Sequence, residues 1–216
     1  MSRILVVGDV HGCRHLLEAV LHRAGYNPDR DRLILLGDYI DRGPDSKGTL
    51  ELVRSLVNNG AVALRGNHEQ MLLDAIRNPD PVNELGTWLN NGGRATLNSF
   101  GTYSVKLLAR WRDFLESLPL IHQEEEYIFV HAGVFPGREL QTDIDLLWIR
   151  ERFLFYPGAP VPGHVVVFGH TMTTIIPGHE CARPWFAPGR IGIDTGAFKT
   201  GILTCLQLPC HYWQTG

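Results

Sequence analysis

Five short polar strings in this chain have the residue types of a metal site. They read "GDVHG" (Gly8 to Gly12), "GDYIDRG" (Gly37 to Gly43), "GNHE" (Gly66 to Glu69), "HAG" (His131 to Gly133) and "FGHT" (Phe168 to Thr171). Each comes at the end of an apolar run. Together they carry Asp9, His11, Asp38, Asn67, His68, His131 and His170. Carboxylate, imidazole and amide oxygen are donors that suit borderline divalent metals such as manganese, iron and zinc. No cysteine belongs to the set, which argues against a structural zinc site. Taken singly, each string also has a plain reading. Gly-Asp after a strand is often only a turn. A lone histidine is more often packed or exposed than a ligand. Asn67 is a good N-cap for a helix read from "EQMLLDAI". Five such strings in series, each closing an apolar run, are poorly explained by coincidence.

The elements that must position these residues follow from the runs themselves. Ile4 to Val7, Leu33 to Leu36 and Ala61 to Leu64 are short apolar strands. Arg14 to Ala24 and Leu50 to Val57 have helical spacing, and a third helix starts at the "GNHE" string. This βαβαβα alternation predicts parallel strands buried on both faces. In open α/β sheets ligands bind beyond the carboxyl ends of the strands, so the polar strings can meet at one point. The middle is different. Asn83 to Phe100 is rich in Asn and Gly around Trp88, and Val105 to Leu118 reads as a helix. We read about 80–118 as a small helical cap within a single domain spanning 1–216. Tyr127 to Val130, Val165 to Phe168, Ile191 to Ile193 and Ile202 to Leu208 read as strands with little helix between them. The loop "FYPGAPVPG" interrupts them. The fold class expected is α/β, with two packed mixed β-sheets and helices outside.

The totals agree with a globular domain. The chain has 216 residues, 44% hydrophobic and 20% charged, enough for one α/β core. Its net charge of −3 argues against nucleic acid as a partner, which needs clustered Lys and Arg. Local arginines can still hold a phosphorylated substrate. Cys13, Cys181, Cys205 and Cys210 show no Cys-x-x-Cys spacing. That composition suits a reduced, cytoplasmic protein. The N-terminal apolar run is too short for a signal segment, and no run approaches the ~20 apolar residues of a membrane span.

The series "GDVHG … GDYIDRG … GNHE … HAG … GHT" resembles the phosphoprotein phosphatase branch of the calcineurin-like metallophosphoesterases, in particular the small bacterial and phage-type serine/threonine phosphatases. The likeness runs from Asp9 to "IDTGA" (Ile193 to Ala197). It implies a two-sheet sandwich and two divalent ions, manganese expected, with iron or zinc as alternatives. By this resemblance Asp9 and His11 hold one ion, and Asn67, His131 and His170 the other. Asp38 bridges them. Paired metals about 3.5–4 Å apart clamp a phosphate and generate hydroxide from a bridging water, which attacks phosphorus in line. His68 is implied to be the general acid rather than a ligand. Asp41 is implied to orient it and favour its charged form. Arg42 and Arg150 match phosphate clamps, with Asn67 also at the phosphate and Arg152 the runner-up for Arg150. Glu69 starts the helix and supports its neighbours.

The substrate implied is phosphoserine or phosphothreonine in a protein or peptide. The rival is symmetrical hydrolysis of diadenosine tetraphosphate. That group usually lacks the carboxylate found here at Asp41, and often has Asp where this chain has Glu69. A metallophosphoesterase nuclease commonly carries Gly-His-x-His, and here the last position is Met172. A non-catalytic phosphate-binding module is expected to have lost ligands, yet this chain keeps all of them. "WLNNGG" (Trp88 to Gly93) resembles the cap near a substrate groove, or is a tight turn packed under Trp88. His179 and Cys181, in "PGHEC", have no assigned role. Nothing in the sequence specifies an oligomeric state.

Overall fold

The computed structural model describes residues 3–209 and 211–215, so Cys210 lies outside the described residues. Strands β1 (Arg3–Val7), β2 (Asp31–Leu35) and β3 (Val62–Ala63) pair in parallel. Their side chains alternate between two cores, as the two-residue period of a strand requires. Leu5, Val7, Leu33 and Leu35 face an outer core. Helices α1 (Arg14–Ala24) and α2 (Ser46–Asn58) pack there, contributing Leu17, Val20, Leu50 and Val53. Ile4, Val6, Ile34 and Leu36 face an inner core between the sheets, against Tyr127, Phe129, Val167 and Ile191. With both faces covered, the strand sequences are continuous apolar runs.

The second sheet comprises β4 (Ile121–Glu124), β5 (Tyr127–Val130), β6 (Val165–Phe168), β7 (Trp185–Ala187) and β8 (Arg190–Gly192). Strands β9 (Thr204–Leu208) and β10 (His211–Gln214) return to the first sheet. The strand orders are β10-β9-β1-β2-β3 and β4-β5-β6-β8-β7. Strand β9 runs antiparallel to β1, while β5, β6 and β8 are mutually parallel. Both sheets are therefore mixed. A third core lies outside the second sheet, where Ile128, Val130, Val166 and Phe168 meet Ile149, Phe153 and Leu154.

Helix α3 (Asn67–Arg77) follows β3 directly. The middle segment contains α4 (Glu84–Trp88), a π-type turn at Leu89–Gly93, α5 (Arg94–Ser99) and α6 (Arg112–Ser117). The single helix expected over Val105 to Leu118 is corrected here. Val105–Trp111 is 3₁₀ and only then does α6 begin. Val105, Leu108 and Trp111 are the buried residues of that run, and a spacing of three matches the eclipsed period of a 3₁₀ helix. Strand β8 begins and ends one residue before the run that predicted it, and β9 is two residues shorter than its run. Short helices α7 (Glu151–Leu154) and α8 (Ala197–Thr200) complete the chain. Cys13, Cys181 and Cys205 are free thiols. Among the described residues no helix is long and apolar enough to cross a membrane.

Candidate metal centre

The polar strings meet at the carboxyl ends of β1, β2, β3, β5 and β6. Asp9, His11, Asp38, Asn67, His68, His131 and His170 are all buried. The backbone is strained to bring them there. Among the described residues six that are not glycine have positive φ, and His11, Asp38, Asp41, Arg42 and His170 are five of them. Such conformations cost energy and persist where the surroundings enforce them. Glycine makes room at the closest approach: a Cβ at Gly66 would lie 2.1 Å from Asp38 Oδ1.

Asp38 sits at the middle. Its Oδ2 lies 3.5 Å from His11 Nε2, and its Oδ1 lies 3.4 Å from His131 Nε2. Ligand atoms of His11, Asp38 and His68 fall within 4.8 Å of one another, as do those of Asp38, His131 and His170. Asn67 Oδ1 is 2.9 Å from both His131 Nε2 and His170 Nδ1.

Hydrogen bonds fix the ring nitrogens. His11 Nδ1 donates to Ile40 O at 2.9 Å and His131 Nδ1 to Leu36 O at 2.9 Å. Burial, joined by the charges of His68 and Arg42, pushes His11 down to about 3. Burial also lowers His131, and with His131 and Arg150 it lowers His170 well below the ordinary value. The rings are therefore neutral, and the Nε2 atoms of His11 and His131 carry lone pairs. The His131 lone pair faces two acceptors, Asn67 Oδ1 and Asp38 Oδ1. Lone pairs converging on a carboxylate are the signature of a cation site. Two further atoms agree. Asp9 Oδ1 and His170 Nε2 are buried with no hydrogen-bond partner among the described residues, although Asp9 Oδ2 accepts the His170 N–H at 2.9 Å. These groups fit as candidate ligands for divalent cations.

His68 stands apart from this pattern. Its Nδ1 lies 2.7 Å from Asp41 Oδ2, with both residues buried. Only Nε2 faces the site, 3.9 Å from Asp38 Oδ2. Burial lowers its pKa, but Asp38 and Asp41 outweigh burial and hold it above the ordinary histidine value. Glu69 carries no exposed oxygen. It accepts the backbone N–H groups of Asp38 (2.8 Å), Tyr39 (2.8 Å), Ile40 (3.3 Å) and Gly66 (2.9 Å).

The arginines separate. Arg42 Nη1 is 2.7 Å from His11 Nε2, and its guanidinium lies 4.9 Å from the Phe198 ring centroid. Arg150 is exposed just before α7, and its charge lowers His131 and His170. Arg152 lies over Phe135 at 5.9 Å, so the runner-up is not brought to these histidines by any contact seen. His179 bonds Arg183 O, with Cys181 Sγ 3.6 Å from His179 Nε2.

A family model for the calcineurin-like phosphoesterases matches residues 2–192. The chain belongs to that family. As a calcineurin-like phosphoesterase it is a hydrolase of phosphoric esters. It is 34% identical over 214 residues to "Serine/threonine-protein phosphatase 1" of Salmonella typhimurium, covering 95% of this chain and 91% of that protein. It is 36% identical over 138 residues to "Bis(5'-nucleosyl)-tetraphosphatase, symmetrical" of Aromatoleum aromaticum, covering 62% of this chain and 45% of that protein. A crystal structure described as that of a candidate diadenosine tetraphosphatase superposes with a TM-score of 0.72 at 23% identity, over 99% of this chain and 93% of the other.

Two features of this phosphoesterase were not assigned from sequence. Asp194 is buried beside Asp9, and burial pushes it up to about 7. It closes the β8 run just as Asp9 closes β1, so the same strand-end rule could have found it. Phe198 is 36% exposed, edge-on to His11 at 5.2 Å, and rims the site. No spacing rule marks a single aromatic in "GAFK".

Proposed function

We propose that this phosphoesterase is a binuclear, metal-dependent phosphomonoesterase acting on phosphoserine or phosphothreonine in proteins. The observation that carries the reading is the buried His68–Asp41 pair at 2.7 Å beside the shared Asp38. Asp9, His11 and Asp38 would hold one divalent ion, and Asp38, Asn67, His131 and His170 the other, with manganese the expected metal. Such ions supply Lewis acidity and lower the pKa of a coordinated water. The remaining work falls to side chains. Arg42, Arg150 and Asn67 bind and orient the phosphate oxygens. His68, held protonated, gives its Nε2 proton to the departing oxygen. Asp41 keeps the Nδ1 proton in place, so that Nε2–H points into the site. A serine or threonine alkoxide is a poor leaving group and needs that proton. Support also comes from the near full-length likeness to a protein named as a serine/threonine phosphatase. We place the protein in the cytoplasm on its composition.

A second reading is symmetrical hydrolysis of diadenosine tetraphosphate, favoured by the relatives so named. The deciding experiment compares kcat/KM for phosphoserine and phosphothreonine peptides with that for diadenosine tetraphosphate, under manganese, iron and zinc in turn. Preference for the peptides supports the proposal. A value for the dinucleotide far above every peptide replaces it with the second reading.

A further inference from the structure

Asp41 and Arg42 are consecutive residues at positive φ, 72° and 67°. Two non-glycine residues in the left-handed region need fixing from outside. That fixing comes from the middle helical segment, far along the chain. Trp88 Nε1 donates to both oxygens of Asp41, at 3.1 Å and 3.0 Å. Thr96 Oγ1 donates to Asp41 Oδ1 at 2.6 Å. The Asp41 N–H lies 3.0 Å from Thr96 Oγ1 and 3.0 Å from Ser46 Oγ. The Arg42 N–H reaches Gly92 O at 3.3 Å. Trp88, Thr96 and Asp41 are fully buried. Gly93 lets the turn close on the indole, since a Cβ there would lie 2.5 Å from the ring. The segment "WLNNGG" is thus a turn packed on Trp88 that also grips Asp41 and Arg42.

This geometry leaves the carboxylate little choice. Oδ1 is taken by Thr96 and shares Trp88, so Oδ2 is the oxygen presented to His68. Turning the carboxylate would break bonds to both donors at once. Burial raises the Asp41 pKa, and the hydrogen bonds from His68, Thr96 and Trp88 oppose that. Asp41 Oδ2, held by these donors, pairs with His68 Nδ1 and fixes which ring nitrogen faces the site. We infer that Trp88 and Thr96 are positioning residues for proton donation, acting through Asp41 on His68. The inference rests on reading His68 as the general acid.

The test separates this role from plain core packing. Trp111 supplies the control, because it is a buried indole in the same segment whose Nε1 has no hydrogen-bond partner among the described residues. Trp88→Phe, Thr96→Val, Thr96→Ser, Trp111→Phe and His68→Asn are compared as full-length, manganese-loaded proteins. Each is assayed on dinitrophenyl phosphate, whose leaving group needs no proton, and on phenyl phosphate, whose leaving group needs one. Trp88→Phe and Thr96→Val should lose about tenfold in kcat on phenyl phosphate and little on dinitrophenyl phosphate, a fraction of a general acid's whole effect. Thr96→Ser should restore the wild-type ratio, and Trp111→Phe should keep it. Equal losses on both substrates in Trp88→Phe and Thr96→Val overturn the inference. If His68→Asn is selective while those two are not, only the positioning role fails. If His68→Asn also loses equally on both, the acid reading itself fails. A second readout needs no turnover. In the zinc-loaded proteins, which are diamagnetic, the His68 Nδ1 proton resonance should move in Trp88→Phe and Thr96→Val and stay in Trp111→Phe. An unmoved resonance in the first two overturns the inference as well.

Discussion

Glu69 Oε2 accepts the backbone N–H of Asp38 at 2.8 Å, and so ties the third polar string to the second. The same carboxylate takes the N–H groups of Tyr39 and Gly66. Glu69→Ala would leave these donors buried without an acceptor. A buried donor left unpaired costs about 1–3 kcal/mol. Three of them should cost about 3 kcal/mol or more in total. In a chain of this size that lowers the melting midpoint by roughly 6–12 °C. A thermal unfolding scan of the variant checks it, and an unchanged midpoint counts against the tie.

Asp38 stands between His11 and His131, one oxygen towards each. Asp38→Asn removes the shared anion from both clusters. Loss of a ligand to one ion alone, as in His11→Asn, should leave the other ion bound. Metal analysis after dialysis should therefore find Asp38→Asn poorer in metal than His11→Asn. Full occupancy of both positions in Asp38→Asn contradicts the shared role.

Much of this was legible in sequence, for identifiable reasons. Strands β1, β2, β5 and β6 are buried on both faces, so each is an apolar run ending where burial ends. The polar residue that follows is then conspicuous. Strands β4, β7 and β10 were not legible. All three are sheet edges and half-open to water. Sequences such as "IHQE" and "HYWQ" therefore carry no apolar run. The grip of Trp88 and Thr96 on Asp41 was hidden for another reason. It joins residues 47 and 55 positions apart, and only the packed segment brings an indole N–H to a carboxylate.

Asp31 gives a pH-dependent expectation away from the centre. Arg3 and Asp31 sit opposite each other in the β1–β2 register, and Arg3 Nε and Nη2 reach the carboxylate at 2.9 Å and 2.7 Å. That bidentate pair lowers the Asp31 pKa. A depressed folded-state pKa adds stability above the unfolded value of about 3.9, and this is lost as pH falls through the folded value. Asp31→Asn should thus destabilise at neutral pH, with the difference from wild type shrinking at acid pH. Urea unfolding at both pH values measures it. A penalty that grows on acidification contradicts the pairing.

His68→Asn should retain its metals, because Asp38 and Asp41 hold the His68 pKa above the ordinary value, so its Nε2 carries a proton and offers no lone pair to a cation. It should nevertheless lose most of kcat, by about 10²–10⁴-fold if the residue is the general acid. Metal analysis beside turnover decides between acid and ligand. Loss of metal in step with activity would make His68 a ligand.

Asp41→Ala bears on substrate choice. Removing the carboxylate frees the His68 ring and withdraws one of the groups that hold its pKa up. A serine or threonine alkoxide departs poorly without a proton. A nucleotide leaves from diadenosine tetraphosphate as a phosphate anion, a far better leaving group. The two reactions therefore lean on Asp41 to different degrees, while both use the same candidate ligands. Asp41→Ala should depress phosphopeptide hydrolysis by at least about tenfold more than any dinucleotide hydrolysis, a part of the general acid effect. The measurement is kcat/KM for one phosphothreonine peptide and for diadenosine tetraphosphate, in wild type and variant at equal metal loading. Equal losses on the two substrates would mean that Asp41 serves the fold of the "GDYIDRG" loop and not the leaving group. A larger loss on the dinucleotide would favour the second reading. In neither case would the ligand assignment around Asp38 change, since both reactions would use those ligands alike.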